Sequence, residues 1–165
     1  MKDLIFIFST TLMYSTPLIF ASLGGVMSEK SGVINIGLEG MMTIGAFFAS
    51  LVALKTNNSI LGLLGGGLAG MLLAFMHAIA SIKYKGNQVV SGIGLNFLGS
   101  GLSIFLCRMI FEGTSMTPPL ELDNKLPLFM GQYITVYIAF IFTFLIWFMF
   151  NKTAFGLRLI ATGEH

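Results

Sequence analysis

Long apolar runs alternate with short polar segments along the whole chain. An apolar run of about 20 residues is long enough to cross a hydrocarbon core roughly 30 Å thick as a helix. Backbone groups in lipid must be hydrogen-bonded within the protein, so such runs predict helices. The predicted spans are residues 4–27, 33–54, 60–82, 89–111 and 131–150. The pattern therefore predicts an all-α, polytopic transmembrane bundle of five spans over residues 1–150.

The segments between the spans indicate how the chain crosses the membrane. All are short except residues 112–130, where Pro118, Pro119 and Pro127 prevent a helix from continuing. If the N-terminus lies outside, the cytoplasmic segments hold five lysine and arginine residues and the outer segments four. Positive charge favours the cytoplasmic side. The count therefore favours an outer N-terminus and a cytoplasmic C-terminus.

Composition supports the same class of protein. The chain is 55% hydrophobic and 10% charged, whereas soluble domains carry about 25% charged residues. A net charge of +2, with no cluster on one face, gives no reason to expect a nucleic-acid partner. The single cysteine excludes a disulfide framework or a cysteine-rich zinc site within the chain. No phosphate-binding loop, metal motif or nucleophile motif is present, so we expect no catalytic residues and no bound cofactor or metal.

Small residues recur at every fourth position of the third predicted span. They are Gly62, Gly66, Gly70, Ala74 and Ala78. On a helix they form a smooth stripe against which another backbone can pack closely. The second span has a shorter stripe of Gly45, Ala49 and Ala53. The stripes predict spans that pack on one another or on a partner.

The second predicted span contains an ionisable residue, Glu39. It lies six residues after Val33, or about 9 Å into the span at 1.5 Å per residue. A carboxylate inside a membrane costs about 2.5–3.5 kcal/mol unless it is protonated or paired. Gly37 and Gly40 flank it and indicate a break in the helix near this point. Asn35 precedes Glu39 by four residues, which predicts that the two share a helix face.

Two interpretations of these polar residues remain open. They line a translocation pathway, or Glu39 is a structural residue bonded to the backbone at a kink. The fourth span adds Asn96 and Ser100, one helical turn apart, which line a pore or bind two helices together. The candidate pathway residues are Asn35, Glu39 and Asn96.

Three stretches of the chain resemble a known family of membrane proteins. They are residues 28–42 (SEKSGVINIGLEGMM), 87–96 (NQVVSGIGLN) and 155–165 (FGLRLIATGEH). The first resembles the motif at the second span of ABC importer permeases of the branched-chain amino acid/ribose permease superfamily, closest to the nucleoside and simple-sugar branch. The second resembles the opening of their fourth span, and the third resembles the start of their cytoplasmic coupling segment.

The resemblance implies a function and a set of partners. It implies the membrane-spanning permease subunit of a bacterial ABC importer for nucleosides or related sugars, working by alternating access. It also implies a separate ATPase subunit that binds the ATP, a second permease subunit, identical or different, and an extracytoplasmic substrate-binding lipoprotein, at the bacterial cytoplasmic membrane. The residues implied to lie near the ATPase are Gly156, Arg158, Gly163 and Glu164.

Permeases of this kind have further spans after the coupling segment, which here occupies residues 151–165. We therefore expect the chain to be a fragment, corresponding to the N-terminal half of such a permease. Ribose or branched-chain amino acid permeases of the same superfamily are the alternatives within the class. Outside it, the alternative is a non-transporting membrane scaffold or a channel. A channel would be expected to carry a ring of polar or charged residues, for which only Glu39 is a candidate.

Overall fold

The computed structural model describes residues 2–121 and 125–164. The helices are α1 (Lys2–Lys30), α2 (Leu38–Thr56), α3 (Ser59–Ala78), α4 (Gln88–Ile110), α5 (Ile134–Lys152) and α6 (Ala154–Gly163). A π-helical segment, Ile79–Lys83, continues α3. Strands β1 (Leu128–Phe129) and β2 (Gln132–Tyr133) form an antiparallel hairpin with Leu128 opposite Tyr133. Within the described residues, five helices are long and apolar enough to cross a membrane, which confirms the predicted polytopic helical class.

Two of the predicted spans begin before their helices do. The second span was predicted from residue 33, but α2 begins only at Leu38. The fifth was predicted from residue 131, but α5 begins at Ile134 because the preceding residues form the hairpin. Met130 and Gly131 make the hairpin turn with φ of 46° and 79°. Two consecutive positive φ angles match the twist of a two-residue hairpin turn, and apolar length alone does not reveal them.

The chain divides into two compact units, each with its own packing. The first combines residues 1–34 with residues 126–165. In it, the ring of Phe20 on α1 meets the ring of Phe142 on α5 edge to face, 6.1 Å between centroids. The side-chain amide of Gln132 donates a hydrogen bond of 3.1 Å to the carbonyl of Ser9 and ties the hairpin to α1.

The second unit, residues 35–125, is built around α2, which packs on both α3 and α4. Its core contains Met41, Ile44, Leu73 and Leu95, with Ala74 packed against it. Such a small apolar core is expected in a membrane protein, because lipid gives apolar side chains little reason to leave it. Close backbone packing between helices must supply much of the cohesion instead.

The stripe on α3 provides that packing against α2. A Cβ added at Gly62 would lie 2.6 Å from the carbonyl oxygen of Ala49 and 2.7 Å from the Cβ of Ala53. One added at Gly66 would lie 2.6 Å from the carbonyl oxygen of Gly45. Real Cβ atoms do not approach so closely, so only glycine permits this contact. Farther along the stripe the contact is looser: Gly70 is at ordinary distance from α2, and Ala78 is half-buried.

Two helices of this unit begin with asparagine caps. The side-chain oxygen of Asn58 accepts hydrogen bonds from the amides of Ile60 and Leu61 at the start of α3. Asn87 caps α4 in the same way, at 2.9 and 3.1 Å. Such caps satisfy amides that have no partner within the helix. Helix α2 has Gly37 at the cap position and therefore no cap from its own chain segment.

Candidate functional site: the start of the second span and the terminal helix

Residues 31–37 separate α1 from α2 and are not helical. Gly32 has a φ of +83°, a left-handed conformation that suits glycine, and this turn ends the first helix. Asn35 then forms a local turn in which its side-chain oxygen accepts a hydrogen bond of 3.1 Å from the amide of Gly37. The span thus starts with an irregular segment that needs hydrogen-bond partners from elsewhere.

Asn96 on α4 supplies those partners. Its side-chain oxygen accepts a hydrogen bond of 2.8 Å from the amide of Gly40. Its side-chain nitrogen donates one of 3.0 Å to the carbonyl of Ile36. The amide of Gly40 lies in the first turn of α2, where a helix offers no acceptor. Asn96 therefore caps α2 from a neighbouring helix and holds the irregular segment at the same time; we call this pair of bonds the Asn96 clamp.

Glycines on both helices let the clamp form. A Cβ at Gly40 would clash with the carbonyl oxygen of Leu95 and lie 2.7 Å from the Cα of Asn96. A Cβ at Gly99 would clash with the carbonyl oxygen of Gly40. Helices α2 and α4 are thus in backbone contact at this point. Because asparagine is short, its amide reaches the backbone of α2 only when the two helices approach this closely.

The prediction that Asn35 and Glu39 share a helix face is wrong. Asn35 precedes the start of α2 at Leu38 and lies in the irregular segment. Its side-chain nitrogen points instead to the sulfur of Met41, at 3.7 Å. The structure therefore gathers Asn35 and Asn96 around the same piece of backbone, residues 36–40, and both amides are engaged there.

Glu39 lies in the first turn of α2, so the prediction that it sits about 9 Å into a helical span is also wrong. The helix starts later than the apolar run because glycines and a polar asparagine precede it. A carboxylate in the first turn is stabilised by the amide dipoles at the helix start. The side chain is exposed, and within the described residues its carboxylate has no hydrogen-bond partner. Of the three candidate pathway residues, Glu39 alone keeps its polar group unengaged in this part of the chain.

Helix α6 carries three of the four residues implied to lie near an ATPase, and the fourth, Glu164, directly follows its last residue. Its first turn is capped by Thr153, whose hydroxyl accepts a hydrogen bond of 3.2 Å from the amide of Gly156. A Cβ at Gly156 would clash with the carbonyl oxygen of Met149 on α5. A Cβ at Gly163 would lie 2.5 Å from the carbonyl oxygen of Lys30 at the end of α1. The two glycines thus fix α6 by backbone contact within the first unit.

Most of the other residues of α6 are exposed. Arg158 and Glu164 are exposed, as are Phe155 at 61% and Leu157 at 65%. His165, the last residue of the predicted coupling segment, lies outside the described residues. The helix therefore presents one charged and two large apolar side chains within a single turn of its start.

One further polar group, His77 of α3, has partners that the sequence pattern does not predict. It is 3% exposed, with Nδ1 3.1 Å from the hydroxyl of Ser91 and Nε2 3.5 Å from that of Ser81. Ser81 belongs to the π-helical segment, whose geometry a sequence pattern does not predict. No group of His, Cys, Asp and Glu in the described part of the chain has metal-binding geometry.

Within the described residues, five apolar helices of spanning length define the class: a multi-pass α-helical membrane protein. Comparison with known proteins then gives the family. The sequence model described as "Branched-chain amino acid transport system / permease component" matches residues 7–165, and the chain belongs to this family.

Curated relatives extend the comparison. The chain is 38% identical to the guanosine ABC transporter permease protein NupQ of Bacillus subtilis, over 94% of this chain and 54% of the relative. It is 34% identical to the nucleoside ABC transporter permease protein NupC of Lactococcus lactis, over 96% and 56%. It is 37% identical to the putative glucose ABC transporter permease protein TsgC13 of Haloferax volcanii, over 94% and 51%. The chain thus spans about half the length of these relatives, and no solved structure matches it significantly.

Proposed function

We propose that the chain serves in the membrane-spanning permease subunit of a bacterial ABC importer that takes up nucleosides. The observation that carries the proposal is the similarity to permeases named for guanosine and for nucleosides, which extends over nearly the whole chain. The membrane class and the family membership support it. The protein's task is to position and pass the solute, and it forms no covalent bond with it.

A related sugar is the second candidate substrate. The relative named as a putative glucose permease is 37% identical, close to the value for the guanosine permease. A nucleoside and a sugar share a ring rich in hydroxyl groups, so one pathway could accept either. The family description names branched-chain amino acids, but none of the three relatives compared above is named for them.

The proposed partners are an ATPase subunit, a second permease subunit and an extracytoplasmic binding protein. In this proposal α6 lies on the cytoplasmic side, with the N-terminus outside, and contacts the ATPase. Its exposed Arg158 and Glu164 are suited to such contact, whereas Gly156 and Gly163 hold the helix in place. The ATPase subunit binds ATP, and its contact with α6 on the cytoplasmic side converts ATP hydrolysis into movement of the permease.

Uptake of radiolabelled solute tests the proposal. The permease carrying this chain is expressed with its ATPase and binding protein in cells that lack their own nucleoside uptake. We expect ATP-dependent guanosine accumulation that excess unlabelled nucleoside suppresses. Accumulation of labelled glucose or ribose, but not of labelled guanosine, would select the sugar alternative. Accumulation of labelled leucine alone, or of none of these solutes, would refute the proposal.

The role proposed for α6 has its own test. Arg158→Glu places a negative charge on the exposed face of α6. We expect loss of uptake and of transport-stimulated ATP hydrolysis, with unchanged insertion into the membrane. Lys55→Glu is the matched control, because it reverses an exposed charge at the far end of α2. Equal effects of the two substitutions on uptake would remove α6 from the coupling mechanism.

A further inference from the structure

A cavity of about 320 Å³ lies in the second unit, between α2, α4 and the segment that follows α4. Ligand-binding pockets in proteins begin at about 300 Å³, so a single sugar or nucleoside ring is of suitable size. Among the residues that line it, five carry hydroxyl groups: Thr43, Ser50, Ser103, Ser115 and Thr117. Three separate stretches of chain supply them, which sets this cavity apart from a polar stripe on one helix.

The hydroxyls differ in how far the protein already uses them. Those of Thr43 and Ser103 donate to the carbonyls of Glu39 and Gly99 on their own helices. Their oxygens therefore keep lone pairs that can accept a hydrogen bond. The hydroxyl of Ser50 has no hydrogen bond within the described residues, so it can both donate and accept. The hydroxyl of Thr117, in the segment that follows α4, likewise has no hydrogen bond within the described residues.

The remaining lining is apolar and carries no charged side chain among the described residues. Phe47, Ile104 and Met116 supply most of it. Arg108 stays outside the lining, although its Nε donates a hydrogen bond of 3.2 Å to the hydroxyl of Ser115. A cavity with several hydroxyls, apolar walls and no charge favours a neutral solute with alternating hydroxyl and C–H groups. It disfavours a nucleotide, whose phosphates would be left unpaired in such surroundings.

We propose that this cavity is a binding subsite for the sugar ring of a neutral polyhydroxylated solute. The identity of that solute rests on the proposed transport function. Ring hydroxyls hydrogen-bond to Ser50, Thr43 and Thr117, while the C–H face of the ring packs on the apolar wall. Cys107 lines the same cavity, so the native cysteine lies beside the bound ring.

Protection of an introduced thiol tests the proposal. In the assembled transporter, with cysteines elsewhere replaced and Cys107→Ser in place, Ser50→Cys is modified by a small methanethiosulfonate reagent. At a solute concentration about ten times the dissociation constant, occupancy of the site slows this modification about tenfold. Thr117→Cys repeats the measurement on the other wall, so that one poorly folding variant does not decide the result. Ser100→Cys is the control, on α4 but outside the cavity.

Three solutes, guanosine, ribose and guanine, show whether the cavity binds the sugar ring or the base. We expect protection at both cavity positions by guanosine and by ribose, none by guanine, and none at the control position. Protection by guanine alone, equal protection at all three positions, or no protection by any solute would overturn the subsite. Guanosine uptake measured on the same preparation keeps the two proposals apart. Uptake without protection would refute the subsite but not the permease function. Protection without uptake would refute the permease function but not the subsite.

Discussion

The Asn96 clamp gives the sharpest test of how the second span is held. Asn96→Ala removes both of its hydrogen bonds, to the amide of Gly40 and to the carbonyl of Ile36. It leaves the helix contact itself in place, since alanine is smaller than asparagine. The substitution therefore isolates the polar part of the contact between α2 and α4.

The expected cost follows from where the two groups lie. Interhelical hydrogen bonds in membrane proteins are worth on average about 0.6 kcal/mol each, which would give roughly 1 kcal/mol for the pair. Gly40, however, is a buried residue, and Asn96 is the hydrogen-bond partner of its amide. A buried donor left without a partner costs about 1–3 kcal/mol. The unpaired amide is thus the larger effect, and we expect a total loss of about 2–4 kcal/mol in the free energy of unfolding.

Reversible unfolding of the purified permease in mixed micelles, with increasing SDS and circular dichroism as the readout, measures this loss. Ser100→Ala is the matched control, because Ser100 lies one turn along α4 and makes no side-chain hydrogen bond within the described residues. Its effect should stay within about 0.5 kcal/mol. A cost below about 1 kcal/mol for Asn96→Ala, or equal costs for both variants, would refute the clamp.

The other predictions concern backbone contacts and the one polar side chain that stays unengaged. Gly40→Ala should cost at least about 2 kcal/mol because its Cβ has no room against α4, whereas Gly101→Ala, with open space around it, should be neutral in the same assay. Gly156→Leu should detach α6 and abolish ATPase stimulation in reconstituted vesicles, while Ala161→Leu on the exposed face should not. Glu39→Gln should lower guanosine uptake while leaving the free energy of unfolding within about 0.5 kcal/mol; unchanged uptake would remove it from the pathway.

The number and class of the spans could be predicted from the sequence because both depend on local properties. A run of about 20 apolar residues specifies a spanning helix whatever its neighbours are. The stripe at Gly62 and Gly66 was equally visible, since a period of four defines one helix face. These features need no knowledge of which helices become neighbours.

The start of α2 could not be predicted in this way. Residues 33–37 belong to the predicted span, yet they are irregular. Asn96 bonds to the backbone of Ile36 and of Gly40, which lie 60 and 56 residues away in the sequence. Hydropathy records how well a residue suits lipid but not which distant amide caps a helix. The same limit explains why Asn35 was placed on the wrong structural element and why the partners of His77 were missed.

Within the described residues of the second unit, backbone contact on two sides leaves one face of α2 uncovered. Helix α3 covers the side around Ala49, and α4 covers the side around Gly40. On a helix, positions 39, 43, 46 and 50 are spaced so that they share a face, and this face begins with the exposed Glu39 and continues along the lining of the hydroxyl cavity. The amides of Asn35 and Asn96 are occupied in holding backbone, so they are poorly placed to bind a solute as well. If the proposed transport function holds, we therefore expect this face of α2, with a carboxylate at its start and hydroxyls about one and three turns further on, to contact a polar solute, rather than the clamp behind it.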